Sequence, residues 1–548
     1  MVLNPKSPKF IFFYVFICLL FLVWGCANMQ RPQGGPRDLT PPKLLQANPP
    51  NMTRNFNAKK IEMDFDEFFK LTNQYQEISI SPTQEKLPEY NVRRKKLVIE
   101  FQDSLEKNTT YVINFGKAIA DVNEANAMKN FTYVFSTGPH IDSLSISGNV
   151  TNTQTLQKEK DVSVLLFPLS KDSLFYSKKK PSIFATTDSS GNFSLNNLRE
   201  DSYRIYAIKE ASPNRVYDNE AELVAFIKDT IRLTKDTSNI QLRLFQQDPE
   251  NFRFVERRFD VDGKILMVFN KRLFKPSVKI ISPAGLDNQK MVEFSKTRDT
   301  AYIFMRNMDF DSVSVAVSDN NSPIDTTTLR KNRKESFQKG ITFSYNISSD
   351  NKLRPSNDLL LTPSLPVESI NPAMITLKED SAVVSNFQIV KDTSSVRRLV
   401  MRYRWKQDVS YQLTFDEGAF TDIYGNKNKK ALKKFTIDKP ENYSMLTLKV
   451  SVPDPTKQYI VEIFRDEKNL IRTDIITKNS SIVYNNFPTA KYTVRVIYDA
   501  NKNGRWDSGN VRQMRQPENI WIYDKEITLR ANWEAEEAIT IPKEPVIP

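Results

Sequence analysis

The residues best suited to chemistry lie near the C-terminus, in the stretch YDANKNGRWDSG from Tyr498 to Gly509. Asp499, Asn501 and Asn503 put side-chain oxygens at alternate positions, Gly504 supplies a bend and Asp507 follows. A calcium loop of the type D-x-[DN]-x-[DN]-G uses positions 1, 3, 5, 7, 9 and 12, because this hard ion takes six to eight oxygens. Asp499, Asn501 and Asn503 fill the first three, the Arg505 carbonyl would be the fourth and Asp507 the fifth. Asn510 stands where a bidentate glutamate would close the set, and Glu518 adds a carboxylate if the chain folds back. The preceding YTVRVIY has the alternation of a strand, which excludes a helix-flanked calcium sensor. Two readings stand side by side: a calcium site that fixes one hairpin, or an Asx-rich turn in which Asn and Gly supply positive φ.

Other chemistry is scarce. His140 is the only histidine, so no Ser-His-Asp or Cys-His set can form and no histidine-based zinc site exists. The acids of DFDE, Asp64 to Glu67, fall on a strand and its end, where solvation explains them. No phosphate-cradling glycine loop and no dinucleotide fingerprint occurs. The expectation is a protein that is not an enzyme.

The other end of the chain sets its compartment. Lys6 and Lys9 precede an apolar run from Phe10 to Trp24. As a helix that run would reach about 22 Å, short of the ~30 Å hydrocarbon core, and so reads as a secretory signal. It ends in LVWGC, which resembles a bacterial lipoprotein signal, with Gly25 before the cut and Cys26 as the lipidated first residue. Of the two cysteines, Cys18 would leave with the signal, so the mature chain forms no internal disulfide. The net charge of +13 then refers to an envelope rather than to nucleic acid. RRKK at Arg93 to Lys96 and KKK at Lys178 to Lys180 read as solvated hairpin tips, with anionic lipid or glycan headgroups as the sharper alternative.

Chemistry-bearing loops need elements to position them. With 548 residues, 39% hydrophobic and 11% aromatic, the chain has material for several packed domains. After Cys26, ANMQRPQGGPRDLTPPK reads as a flexible tether. KKIEMDF alternates Ile61, Met63 and Phe65 with acids, TTYVINF puts Tyr111, Ile113 and Phe115 on one face, and SVSVAVS repeats the pattern at Ser312 to Ser318. Short strands between turns, without sustained helical periodicity, predict β-sandwiches.

Internal repeats refine this. NNL at Asn196 and YRIYAIKE at Tyr203 recur as NNF at Asn485 and YTVRVIYD at Tyr492, both at an offset of 289. TYVINFGKAIADVNEAN from Thr110 is similar to SYQLTFDEGAFTDIYGN from Ser410, matching Tyr111 with Tyr411, Phe115 with Phe415 and Asp121 with Asp422. Two kinds of unit therefore alternate. In the earlier copy of the opening loop, at the same offset, Glu210, Ser212, Asn214 and Asp218 stand for Asp499, Asn501, Asn503 and Asp507, and Arg215 replaces Gly504, so the loop persists while its metal set decays.

The first kind of unit, with TPPKLLQANPPN, FDEFFKL, NTTYVINFGKAIADVNEAN and FSTG, resembles the bacterial Ig-like domain of Bacteroidetes-type lipoproteins. The second, with DSSGNFSLNNLREDSYRIYAIKE, resembles the transthyretin-like or carboxypeptidase-regulatory-like sandwich, without zinc chemistry because the ligands are missing. The resemblance implies an all-β protein of tandem β-sandwiches, Ig-like and transthyretin-like, in an elongated array behind a lipoprotein signal. The expected parts are a signal peptide at 1–25, a tether at 26–40, an Ig-like sandwich at 41–138, a transthyretin-like one at 139–247, a sandwich of uncertain type at 248–345, an Ig-like one at 346–440 and a transthyretin-like one, with the calcium loop, at 441–548.

The functional expectation is a non-enzymatic outer-membrane lipoprotein. It would be a protein-binding scaffold or accessory subunit of an envelope complex for outer-membrane protein assembly or secretion, built on a β-barrel. The alternative is a calcium-dependent surface adhesin or glycan-binding protein. Acidic residues just after the cysteine mark surface export in lipoproteins of the resembled group, and here no acid precedes Asp38. That places the chain on the periplasmic face of the outer membrane, anchored by lipid on Cys26, with Ca2+ as the other expected cofactor.

Overall fold

The computed structural model describes residues 38–545 apart from 83, 85, 178–179, 212–213, 220, 261, 332–339 and 467–468. Cys26 and the whole leader, and Lys178, Lys179 and Ser212, lie outside the described residues. The chain divides into two compact units, Met1–Asp142 and Ser143–Pro548.

In the first unit, one sheet orders Leu44–Asn48, Lys60–Phe65, Lys96–Glu100 and Glu89–Arg93, and a second orders Ser79–Ser81, Thr110–Asn114 and Thr132–Ser136. Period-two alternation sends every second side chain inward. Ile61, Met63, Phe65, Leu97 and Ile99 thus meet Tyr111, Ile113, Phe115, Tyr133 and Phe135 in one core. A ribbon of Phe69–Leu71 and Ile119–Asp121 closes one end. Arg94, at φ 59°, makes RRKK a hairpin tip.

The second unit holds four further groups of strands with separate cores. In residues 144–246, Leu144–Asn152 lies between Asn192–Leu198, antiparallel, and Thr237–Gln246, parallel. The last sandwich repeats this connectivity: Tyr443–Ser451 pairs Ser480–Pro488 antiparallel and Glu534–Thr540 parallel. The repeated NNL and NNF have a common cause. Asn197 and Asn486, one repeat apart, both take positive φ, at 56° and 50°, beside a register shift in the same strand pair. Each marks a β-bulge, where Asn tolerates the left-handed region.

Residues 254–330 form two sheets around Met267, Ile280, Ile303 and Val315. Residues 343–437 echo the first unit. Tyr111 Oη accepts the Glu106 N–H at 2.9 Å, and Tyr411 Oη accepts the Lys406 N–H at 2.7 Å. Each ring stacks on its partner, Phe135 or Phe435, at 5.3 and 5.4 Å. The TYVINF and SYQLTF likeness is therefore one packing corner used twice.

Candidate functional site

The strand Lys491–Asp499 delivers the loop. Tyr492, Val494, Val496 and Tyr498 are buried in the last sandwich, which fixes Asp499 at the strand end with 1% exposure. The Asp499 carboxylate accepts the N–H of Asn503 at 3.1 Å and of Gly504 at 2.8 Å, and the Gln458 amide at 2.6 Å. Gly504 has φ 77°, the left-handed conformation the turn requires. Asn501 and Asn503 both donate side-chain N–H groups to Asp507 Oδ2, the latter at 2.6 Å. The Arg505 guanidinium stands 3.3 Å from Asp507 Oδ1 and lies over the Phe274 ring at 3.5 Å. Glu518 does fold back, accepting the N–H groups of Ala500 and Asp507 at 2.8 and 3.0 Å.

The loop thus brings together Asp499, Asn501, Asn503, Arg505, Asp507 and Glu518, each already engaged. Among the described residues, no group of three or more His, Cys, Asp or Glu is placed to hold a metal ion. A cation here would draw on two carboxylates, the amide oxygens of Asn501 and Asn503 after rotation of their amides, and the Arg505 carbonyl.

The earlier copy shows what the loop needs without a metal set. Glu210 Oε1 accepts the N–H groups of Asn214 and Arg215, both at 2.8 Å, as Asp499 does for Asn503 and Gly504. Arg215 has φ 60°, close to Gly504. Asn214 donates to Asp218 at 3.1 Å, as Asn503 does to Asp507. The hydrogen-bond skeleton is therefore common to both copies. What differs is the left-handed residue, where Arg215 lies over the Phe184 ring at 3.9 Å.

Burial pushes the Glu518 carboxyl up to about 7, and the nearby Asp507 and Asp499 add to the rise. A carboxyl raised in the folded state stabilises fully below its unfolded pKa near 4.5, and that contribution is lost as pH climbs through 7. With chelator present, the melting temperature of the last sandwich should therefore fall between pH 5.5 and 8, and Glu518→Gln should flatten the fall. Equal slopes for both proteins would remove the assignment.

Sequence reasoning missed what lies beyond Asp507. Residues 505–519 seat on the sandwich of residues 144–246. Val511, 1% exposed, enters a cluster with Phe226, Phe245, Phe175 and Tyr176. Its N–H donates to Gln247 Oε1 at 2.8 Å, and its carbonyl accepts the Tyr176 hydroxyl at 3.1 Å. Gln516 donates to the Phe226 carbonyl at 2.8 Å, Arg243 to Asn519 at 2.6 Å, and the Asp248 N–H to Ser508 at 3.1 Å. A Cβ on Gly509 would meet Phe245 Cζ at 2.5 Å, so only glycine allows this approach. The loop is a clasp between two sandwiches far apart in sequence. His140, by contrast, is exposed.

Residues 38–137 match the family model of a bacterial Ig-like domain. No curated protein matches the chain. Among solved structures, the chain is similar to BcpA, the major pilin subunit of Bacillus cereus, at 9% identity over 73% of this chain and 99% of that one, with a TM-score of 0.14. It is also similar to a backbone pilin of Streptococcus pyogenes, at 10% identity over 71% and 80% with a TM-score of 0.13. The N-terminal part of the bacterial S-layer protein SbsC gives 13% identity over 34% and 44%, with a TM-score of 0.13. Likeness at these TM-scores bears on neither arrangement nor role. The class defined by the fold is an all-β protein of tandem β-sandwiches, the first of which matches the model of a bacterial Ig-like domain.

Proposed function

We propose that the chain is a non-enzymatic outer-membrane lipoprotein, held by lipid on Cys26 and facing the periplasm. It serves as a protein-binding scaffold or accessory subunit of an envelope complex built on an outer-membrane β-barrel. The observation that carries this reading is the clasp. The acids and amides of the loop richest in polar chemistry bond to one another and to their own sandwich, while Ser508, Val511, Gln516 and Asn519 join it to an earlier sandwich, as suits a presenting surface rather than a catalytic one. The test is a mild-detergent pull-down of the tagged lipoprotein, with co-purifying membrane proteins identified. Recovery with a β-barrel partner is expected, and a lone monomer overturns the reading.

The anchor has its own test. Cys26→Ala should abolish lipid labelling and move the protein out of the membrane fraction. A variant that stays membrane-bound without lipid would make the apolar run an uncleaved anchor.

Calcium belongs to this proposal as a staple of the clasp loop. Gln516 Oε1, buried without a donor, lines the same cleft as Asp507 and Glu518, which gives that cleft an acceptor-rich wall. Two carboxylates and neutral oxygens fit a dissociation constant of roughly 10⁻⁴–10⁻³ M. At ten times that constant the ion would add about 1.4 kcal/mol. Calcium should raise the melting temperature of the wild-type chain and of Asp218→Ala, but not of Asp499→Ala. No calcium effect on the wild type leaves an Asx turn around Gly504.

The second reading, a calcium-dependent surface adhesin or glycan-binding protein, draws on another cleft. Arg354, Asn357, Asp358, Tyr403, Trp405 and Gln407 line it, the mixture of aromatic and polar groups that sugars use. A sugar ligand found with an isolated monomer would favour it.

A further inference from the structure

The repeated Ig-type corner appears once covered and once bare. In residues 343–437, Val367 pairs with Asp422 at the sandwich end, and the Asp422 carboxylate caps the N–H groups of Tyr424 and Asn426, each at 2.9 Å. In the first unit, Phe69 pairs with Asp121 in the same way, and Asp121 caps Glu124, Ala125 and Asn126 at 2.6 to 2.9 Å. The bridge Thr421 to Lys427 has its counterpart in Ala120 to Ala127. The neighbouring hairpins also correspond. Leu97 and Ile99 pair with Met63 and Ile61 as Leu399 and Met401 pair with Leu361 and Leu359, which sets Lys95 at the place of Arg397.

The later end is occupied. Ile423 and Leu365, at 9% and 0% exposure, pack with Phe304, Tyr302 and Met291 on a sheet of residues 254–330. Arg397 from the hairpin tip reaches Glu293 on that sheet at 2.8 and 3.2 Å and lies over the Tyr302 and Phe304 rings at 5.9 and 5.7 Å. In the first unit Glu67 stands at the place of Leu365 and Lys95 at that of Arg397, and the apolar residues beside them are bare. Val122, at the place of Ile423, is 48% exposed, Phe68, beside Phe69, is 56% exposed, and Leu39 nearby is 76% exposed. Lys95 lies 5.5 Å from the Phe68 ring centroid. The Asn126 side chain holds the Asp38 carbonyl at 2.9 Å, which brings the entering chain to the same end.

Acids outnumber bases around this bare end although the chain is basic overall: Asp38, Asp66, Glu67, Asp121 and Glu124 stand there with Lys70, whose Nζ donates to the Val122 carbonyl at 3.2 Å, and Lys95, whose Nζ donates to the Asp66 carbonyl at 2.6 Å. Desolvation first, and then Asp66, Asp121, Asp38 and Glu124, lift the Glu67 carboxyl above its ordinary value, which records their crowding. Separately placed exposed apolar residues need no explanation, but a cluster at an end that the homologous corner buries is a candidate interface.

We propose that the end carrying Phe68 and Val122 is a docking surface for a β-sheet face of another envelope protein, with an aromatic residue at its centre and a basic rim. The proposal rests on the scaffold reading and deepens it by naming the surface and the chemistry of its partner. The sheet that covers the later copy shows the shape of such a face, with Phe304 and Tyr302 at its middle. The acids Asp66, Glu67 and Glu124 select the opposite charge at the rim, which steers encounter and register more than it adds affinity.

The experiment places a photoreactive benzophenone side chain at Val122 of the full-length lipoprotein in cells and maps the adduct by mass spectrometry. The expected result is one adduct, to a strand of a single other protein with aromatic and Lys or Arg residues. Phe68→Asp and the pair Glu67→Lys, Glu124→Lys should each lower its yield about tenfold, with an unchanged melting temperature because these positions lie at the surface. An adduct to the chain's own residues 143–548, to a second copy, to lipid or to an acidic partner segment overturns the proposal, as does no adduct. If the detergent complex is recovered without an adduct at Val122, the surface is wrong and the scaffold reading stands. If neither is recovered, both fall.

Discussion

Val511→Asp should open the clasp while leaving both sandwiches folded. Val511 is 1% exposed among Phe226, Phe245, Phe175 and Tyr176. Its replacement forfeits about 1.5–3 kcal/mol of apolar burial and would strand a carboxylate among aromatic rings. Added to the cost of the stranded carboxylate, above the roughly 2–7 kcal/mol of a buried unpaired neutral polar group, that loss outweighs the five direct hydrogen bonds to the earlier sandwich at about 1 kcal/mol each, so exposing the loop becomes the cheaper state. Amide exchange should then accelerate in residues 505–519 and in Leu223–Phe226. The first unit and the core around Tyr492 and Val494 should keep their protection. Gly509→Val should give the same pattern by steric means, since its side chain would run into Phe245 and the Arg515 carbonyl. Unchanged exchange in both variants would mean that the loop is not seated on the earlier sandwich.

The sandwiches were legible because their signal is local. Ile61, Met63 and Phe65 alternate with acids, and all are at most 2% exposed. The repeats were legible because identical backbone demands select the same residues: Asn197 and Asn486 at bulges, Tyr111 and Tyr411 at corners. The loop residues were legible as a set, and Asp499 with Glu518 does gather them. Their engagement was not. Whether Asp507 faces an ion or takes hydrogen bonds from Asn501, Asn503 and the Arg505 side is a matter of donors that any Asx-rich sequence supplies.

The clasp itself had no sequence signature. Its contacts join Tyr176 to Val511 and Arg243 to Asn519, hundreds of positions apart, and each residue alone is unremarkable on a sandwich. Val511 and Gly509 follow Asp507 in what reads as the tail of a turn. A hint lay in the length of that tail: the strand before the loop ends at Asp499 and the next begins at Ile520, more than a hairpin needs. The same reasoning separates the two Ig-type corners. Ile423 and Val122 are interchangeable in sequence, and only the sheet carrying Phe304 makes one of them buried.

Gly148→Val should be the most damaging single change in the sandwich that receives the clasp. Leu144–Asn152 is flanked by the edge strand Asn192–Leu198 and by the parallel Thr237–Gln246, so it joins the edge to the rest of the sheet. At Gly148 a Cβ would stand 1.9 Å from the Ile240 carbonyl oxygen and 2.7 Å from its carbon. Both are backbone atoms, so no side-chain rotation can relieve the clash. The parallel pairing must separate, which breaks the ladder that also carries Leu242 and Leu244 into the core. Overpacking alone costs about 1–3 kcal/mol, and loss of the ladder adds to it. Thermal unfolding should show the transition of this sandwich lowered by well over 10 °C, by the usual conversion of several kcal/mol for a domain of about 100 residues. Because Phe226 and Phe245 belong to the same sandwich, the clasp should loosen with it: exchange at residues 505–519 should rise in Gly148→Val as it does in Val511→Asp. The two variants differ in direction. Val511→Asp frees the loop and spares the strands around Gly148, whereas Gly148→Val must unsettle both. Retention of full protection at Ile146 and Val150 in the valine variant would show that the parallel strand can yield without unfolding, and would place the strength of this sandwich elsewhere than in its parallel pairing.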